Sequence, residues 1–317
     1  MARDHFISQV YLKQFAGPEL GGGYMHGIKK SNQETFPCHP RDVCRIEAGG
    51  TNPYMKNDRA IEDFLKQFEP RYNRAVQDIR DRKITASTIS SIAGFMSQIV
   101  HCTPTAARLG TPYLQEVIRD TVTNLEKAGE IPRPPPELGS TSLSEMISSG
   151  SVCIDVDQKF PQALGATNLE ETAQTYGNSY WEILINRNHQ SPFFSSDFPV
   201  VPEQQAIIGI GRRLFPITPD IAVRVTTDPL AQKPTGSQKF PHFRCNFLEC
   251  SMGEVRRINQ QIVRCADSLI FFCQDLDWIP RFVTKNSNYR IVGKAKLIRG
   301  ENGMLIVTTH VVERVTH

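Results

Sequence analysis

The chain holds 317 residues, 39% hydrophobic and 22% charged, which suits a folded domain with ample core and excludes disordered and fibrous classes. Its formal net charge of +3 lacks the strong basic bias of a dedicated nucleic-acid binder, although a local patch stays compatible with such contact. No run approaches the roughly 18 apolar residues of a membrane span, and no apolar segment follows the polar opening, so the expectation is a cytoplasmic protein without a membrane partner.

The first element is expected over His5 to Phe15, an apolar helix with His5, Gln9 and Leu12 at helical spacing. Gly17-Pro18 and Gly21-Gly22-Gly23 then break the chain. Tyr24 to Ile28 reads as a short strand ending in a turn at Lys29 to Asn32. After an irregular stretch, Asp58 is expected to cap a long helix whose stripe is Ile61, Phe64, Leu65, Phe68, Tyr72, Val76 and Ile79, kinked on its solvent side by Pro70. Ile89 to Val100 supplies a second helical stripe, and Leu114 to Leu125 a third, opened by Pro112. A Pro-rich then Ser-rich run at about 129–150 reads as a long loop inside one domain spanning 1–317.

Strand signals collect beyond that loop, at 180–185, 193–195, 214–216, 221–226, 269–273 and 304–312. Gly209 to Arg213 reads as a hairpin turn, and one late helix is expected from 254 to 266. Helices first and strands later predict an α+β fold, its helical N-terminal half packed on a mixed, largely antiparallel sheet from the C-terminal half.

The eight cysteines are scattered without any Cys-x-x-Cys pair, so there is no zinc motif and reduced, buried thiols are expected. His26, Cys38, His39 and Cys44 fit no metal-ligand spacing. The polar groups at apolar boundaries are more informative. His5 and Gln9 lie on an apolar segment and need partners. Glu62 and Glu69, seven residues apart, would share an azimuth about 10 Å apart at the stripe's edge, as salt-bridged boundary residues or as site carboxylates. Ser196 and Asp197 follow an apolar run into a proline-stiffened turn, which serves equally as a local side-chain turn or as a site. Asn259 sits on the apolar face of the late helix, where its amide requires bonds to backbone or to a pocket. No phosphate-binding loop, dinucleotide fingerprint, serine elbow or His-Glu-x-x-His is present.

The pattern His-x-x-x-Gln-x-Tyr-Leu-x-x-Phe at His5 to Phe15 resembles the opening of the DUF4238 family, a group of uncharacterised proteins. The resemblance runs on through Tyr24 to Lys29, Ile61-Glu62 to Glu69, Ser196 to Val200, Phe215 to Pro219 and the helix with Asn259. Many members carry Arg-Thr-Pro where this chain has Cys102-Thr103-Pro104; if that arginine serves a site, either Arg108, one turn on, substitutes for it or the function is altered. The resemblance implies one compact domain and a candidate site but no reaction.

Together these positions form an expected hydrolytic site. His5 serves as general acid/base, and Glu69 or Asp197 as its orienter or as a ligand to a divalent metal such as magnesium. Gln9, Glu62, Ser196, Asn259 and Arg108 would bind substrate. Arg41, Arg45, Arg108, Arg212 and Arg213 near the candidates favour a phosphodiester, RNA or DNA. The alternative is a non-catalytic interaction protein whose polar cluster is structural.

Overall fold

The computed structural model describes residues 3–132, 134–135, 137, 141–203, 211–227, 240, 243–300 and 303–315. The chain opens with β1 (Arg3–His5), α1 (Gln9–Leu12) running into a 3-10 turn at Lys13–Phe15, β2 (Met25–Lys29), β3 (Thr35–Cys38) and β4 (Arg45–Glu47). Seven helices follow among the described residues: α2 (Ala60–Lys66), α3 (Glu69–Arg80), α4 (Ala86–Cys102), α5 (Pro104–Ala128), α6 (Leu143–Ser148), α7 (Lys159–Thr167) and α8 (Leu169–Gly177). Next come β5 (Tyr180–Ile185), β6 (Ser195–Ser196), β7 (Val201–Glu203), β8 (Arg212–Thr218), β9 (Ile221–Thr226) and β10 (Arg244–Glu249). The chain closes with α9 (Met252–Cys265), β11 (Leu269–Phe272), α10 (Trp278–Ser287), β12 (Tyr289–Gly300) and β13 (Gly303–Arg314).

The α+β class holds, with the strands divided between two main sheets. One has the order β10-β5-β9-β8-β7, antiparallel except for the parallel β10–β5 pair. The other, β3-β2-β11-β6, is wholly antiparallel and takes two strands from the N-terminal part of the chain. Tyr11 joins the two. Its hydroxyl shares a 2.7 Å hydrogen bond with Ser195 Oγ on β6 and donates to the Pro216 carbonyl on β8 at 3.0 Å, while its ring stacks on Phe215. Burying an apolar side chain of this size stabilises by about 1.5–3 kcal/mol, and Tyr11, Phe215, Phe271 and Trp181 are all fully buried members of the core.

Several expected boundaries move. His5 ends a strand instead of starting a helix, because residues 3–5 pair antiparallel with 45–47 and Phe6 N–H bonds the Cys44 carbonyl at 2.8 Å. The extended Ser8 then turns the chain into a much shorter helix. The long helix over 61–79 is two helices, broken at Gln67–Phe68. Pro70 lies in the first turn of α3, where its missing N–H costs nothing, so it starts a helix where a kink was expected. Arg59, not Asp58, precedes α2. Likewise Thr103 caps α5 and Pro104 opens it, leaving Pro112 inside.

The 129–150 stretch ends in α6, started by a Ser142–Glu145 capping box. Of the expected hairpin turn, Gly209 and Ile210 lie outside the described residues, and Arg212 and Arg213 already belong to β8. The C-terminal strand is longer than expected. It pairs along its whole length with β12, which had no counterpart in the sequence reading.

Candidate functional site

α4 is the organising element near the N-terminus. A Thr85–Thr88 capping box starts it, and its residues are buried almost all round. Against it close α1, the β1–β4 pair, and the broken pair α2–α3, leaving between them a cleft of about 440 Å³. His5, Ser8, Gln9, Glu62, Glu69 and Gln98 supply its polar wall. The break at Gln67–Phe68 removes Glu62 and Glu69 from a common helix, yet both side chains still reach this one cleft.

His5 is half-buried at the wall. Its Nε2 stands 3.1 Å from the Arg41 carbonyl oxygen, which only accepts, so the proton is on Nε2. Nδ1 is then the free base, approached by the Gln9 side-chain amide at 3.4 Å. Burial holds the imidazole below its ordinary 6.5, against the opposing pull of the Arg41 carbonyl. At neutral pH the ring is therefore uncharged and able to take a proton.

Around it the other polar groups form two chains. Ser8 Oγ donates to Glu69 Oε1 at 2.5 Å, tying α3 to the start of α1. Asp4 Oδ2 accepts from Gly50 N–H at 2.9 Å and from Arg59 at 3.2 Å, and Arg59 continues to Thr51 Oγ1 at 2.8 Å and to the Glu62 carboxylate. Glu62 is thus charge-compensated at the cleft edge. Gln98 was missed by the sequence reading. Its amide donates to the Phe6 carbonyl at 3.2 Å, and its Oε1 is buried with no hydrogen-bond partner among the described residues. The available signal was a glutamine beside the stripe residues Met96, Ile99 and Val100 of α4.

The remaining expected site residues lie elsewhere, each committed to main chain or to internal charge. Asp197 accepts three backbone N–H groups, from Asp267 (2.9 Å), Ser268 (2.7 Å) and Leu269 (2.9 Å), so it clamps the approach to β11. Burial outweighs these donors and pushes its carboxyl up to about 6. Ser196 Oγ accepts from Phe198 N–H at 3.2 Å, a local turn bond. Asn259 accepts from Phe194 N–H at 2.9 Å and donates to the Pro192 carbonyl at 2.8 Å. Arg108 spans from the Ile291 carbonyl (2.9 Å) to Asp267 (3.1 Å), fastening α5 to β12 and to the clamp. None of these four lines the cleft.

The donor set does not suit a metal ion. Among the described residues no group of three or more His, Cys, Asp or Glu side chains is placed to hold one. Glu62 and Glu69 are already engaged by Arg59 and Ser8. In addition, no helix of the described residues is long and apolar enough to cross a membrane.

A family model described as "Protein of unknown function (DUF4238)" matches residues 3–275. No curated protein and no solved structure matches the chain.

Proposed function

The chain belongs to the DUF4238 family, whose match takes in every residue lining the N-terminal cleft, and from that premise we propose a hydrolytic site with His5 as general base and a phosphodiester, RNA or DNA, as substrate. The observation that carries this reading is the imidazole. It stands at an open cleft, is oriented by one nitrogen on a backbone carbonyl, and is kept as the free base by burial.

Water is the nucleophile. Its oxygen bonds phosphorus while its proton passes to Nδ1; the P–O ester bond breaks and the leaving oxygen takes a proton from solvent. An anionic substrate is supported by Arg3, Lys13 and Lys66, which also line the cleft. Among the described residues Arg3 and Lys13 have no carboxylate partner. Gln9 and the unpartnered Gln98 Oε1 are the groups available to hold the nucleophile or a ribose hydroxyl. Glu69 acts as a positioning residue, since its carboxylate fixes Ser8 and with it the turn from β1 into α1.

The test is cleavage of labelled RNA and DNA by wild type and His5→Gln, with melting temperatures measured in parallel. Losing a general base lowers the rate about 10²–10⁴-fold, expected here at unchanged melting temperature. In wild type kcat/KM should rise as pH passes upward through a value below 6.5 and then level off. A second reading, an interaction protein with a structural polar cluster, is favoured by the mutual satisfaction of Asp4, Arg59 and Glu62. Absence of cleavage by wild type, together with a lowered melting temperature for His5→Gln, would sink the enzyme reading in favour of this one.

A further inference from the structure

A second cleft, of about 460 Å³, opens where α4, α5, α7 and α8 meet β8 and β13. Its polar lining brings together side chains far apart in the chain: His101 from α4, Thr172 from α8, Arg213 from β8 and His310 from β13. Among the described residues no aspartate, glutamate or lysine lines it. His101 Nε2 is bonded to Thr172 Oγ1 at 2.8 Å. Arg213 is half-buried and, among the described residues, its side chain makes no ion pair and no hydrogen bond. A guanidinium is charged at every relevant pH and offers five N–H donors in a planar fork. One held in a cleft with two imidazoles and no carboxylate is the donor set of an oxyanion site, and it matches the geometry of a phosphate.

Two close backbone approaches fix this arrangement. Gly165 on α7 lies so near α4 that a Cβ there would fall 2.4 Å from the His101 carbonyl oxygen. Gly293, opposite His310 in the β12–β13 register, lies so near α5 that a Cβ would fall 2.3 Å from the Leu109 carbonyl oxygen. Both histidines are thereby carried on elements that cannot slide without a clash. The rest of the wall is apolar, with Leu109, Leu114, Pro161 and Leu164, and the partly exposed Tyr113 ring stands among the lining residues. Such a mix of an apolar wall and a few convergent polar groups, at this volume, is the usual form of a small-molecule site.

We propose that this cleft binds a phosphate monoester, its phosphate on Arg213, His101 and His310 and its organic group along the leucine wall towards Tyr113. Burial and the Arg213 charge hold both imidazoles down at about 4, so at neutral pH the guanidinium is the only full charge in the lining among the described residues. Thr308 and His310 come from β13, beyond the family match at 3–275, so this site is completed by a segment outside the matched part of the chain. It is independent of the His5 cleft, with which it shares no lining residue.

The experiment is calorimetric titration of the full chain at neutral pH with phenyl phosphate, inorganic phosphate and phenol. Phenyl phosphate should bind about tenfold tighter than inorganic phosphate, since it adds the apolar wall to the shared ionic contacts, and phenol should not bind. Arg213→Gln should weaken phenyl phosphate at least about tenfold with the melting temperature unchanged, whereas His5→Gln should leave that affinity as it is. Should Arg213→Gln fail to fold, the wild-type imidazole proton resonances of His101 and His310 serve instead, and both should shift on titration. Equal affinity for phosphate and its phenyl ester overturns the ester assignment. Absence of binding, binding indifferent to Arg213→Gln, or unmoved histidine resonances overturns the site.

Discussion

Replacing Asn259 by leucine should cost stability and leave the chemistry of the folded protein untouched. The side chain is 0% exposed, and its two ends are the partners of Phe194 N–H and the Pro192 carbonyl, at 2.9 and 2.8 Å. Leucine fills nearly the same volume, so little cavity forms, but it leaves one buried donor and one buried acceptor unpaired. Each such group costs about 1–3 kcal/mol, and the apolar side chain returns part of that, so the expected loss is about 2–4 kcal/mol.

Asn259→Asp divides the effect. Its carboxylate still accepts from Phe194 N–H but faces the Pro192 carbonyl, so the neutral acid is favoured in the fold and its pKa is raised there. Its destabilisation should therefore be larger at pH 7 than at pH 4, where a protonated carboxyl can donate to that carbonyl. Urea unfolding followed by the fluorescence of the buried Trp181 measures both variants. A loss below about 0.5 kcal/mol for Asn259→Leu would refute the reasoning, because unpaired buried backbone groups are never that cheap. Reduced activity at full stability would instead return Asn259 to the site.

Arg224 on β9 is 6% exposed and holds Glu203, Glu182 and Glu254 at 2.6, 3.2 and 3.3 Å. Arg224→Met leaves three carboxylates facing one another and should cost about 3–5 kcal/mol in urea unfolding at pH 7; a cost under about 1 kcal/mol would show that the network is not formed. Acid stability offers a separate check. His101 and His310 fall from 6.5 to about 4 on folding, so between those pH values the unfolded chain binds protons that the folded chain does not. Stability should decline as pH falls through that window, by about 2.5 kcal/mol per imidazole at pH 4.5. Asp197, raised from 3.8 to about 6, acts in the opposite direction over much the same range. Comparing wild type with the double variant His101→Gln, His310→Gln cancels the Asp197 contribution, and parallel stability curves for the two proteins would contradict the predicted burial.

Hydrophobic spacing is a local property, and what depends on it was legible. The stripe from Ile61 to Ile79 and that from Ile89 to Val100 became buried faces, and β5 and β9 run over the very residues that carried their strand signals. The N-terminus was misread because the competing partner of residues 3–5 lies forty positions on. That partner strand is flanked by Cys44 and Ala48 at φ 52° and 50°, non-glycine residues in the left-handed region that no composition signal announces.

The same limit divides the candidate site. His5, Gln9, Glu62, Glu69, Asp197, Ser196, Asn259 and Arg108 all looked alike in the sequence, as polar groups set among apolar ones. Local pattern dictated that they would be drawn inwards and would need partners, because an unpaired buried polar group is too costly to keep. The identity of each partner was a tertiary matter. Asp197 met the amides of 267–269 and Asn259 the backbone of 192–194, while His5 and Glu69 met across a cleft. Arg213 stood out only as one of several arginines, and His101 and His310 carried no mark, since the meeting of the three depends on two glycines letting helix and ribbon backbones touch. Sequence alone thus determined which side chains would leave water, through the free energy of burial. Register and close approach between distant segments, which no local spacing encodes, decided what each would find there.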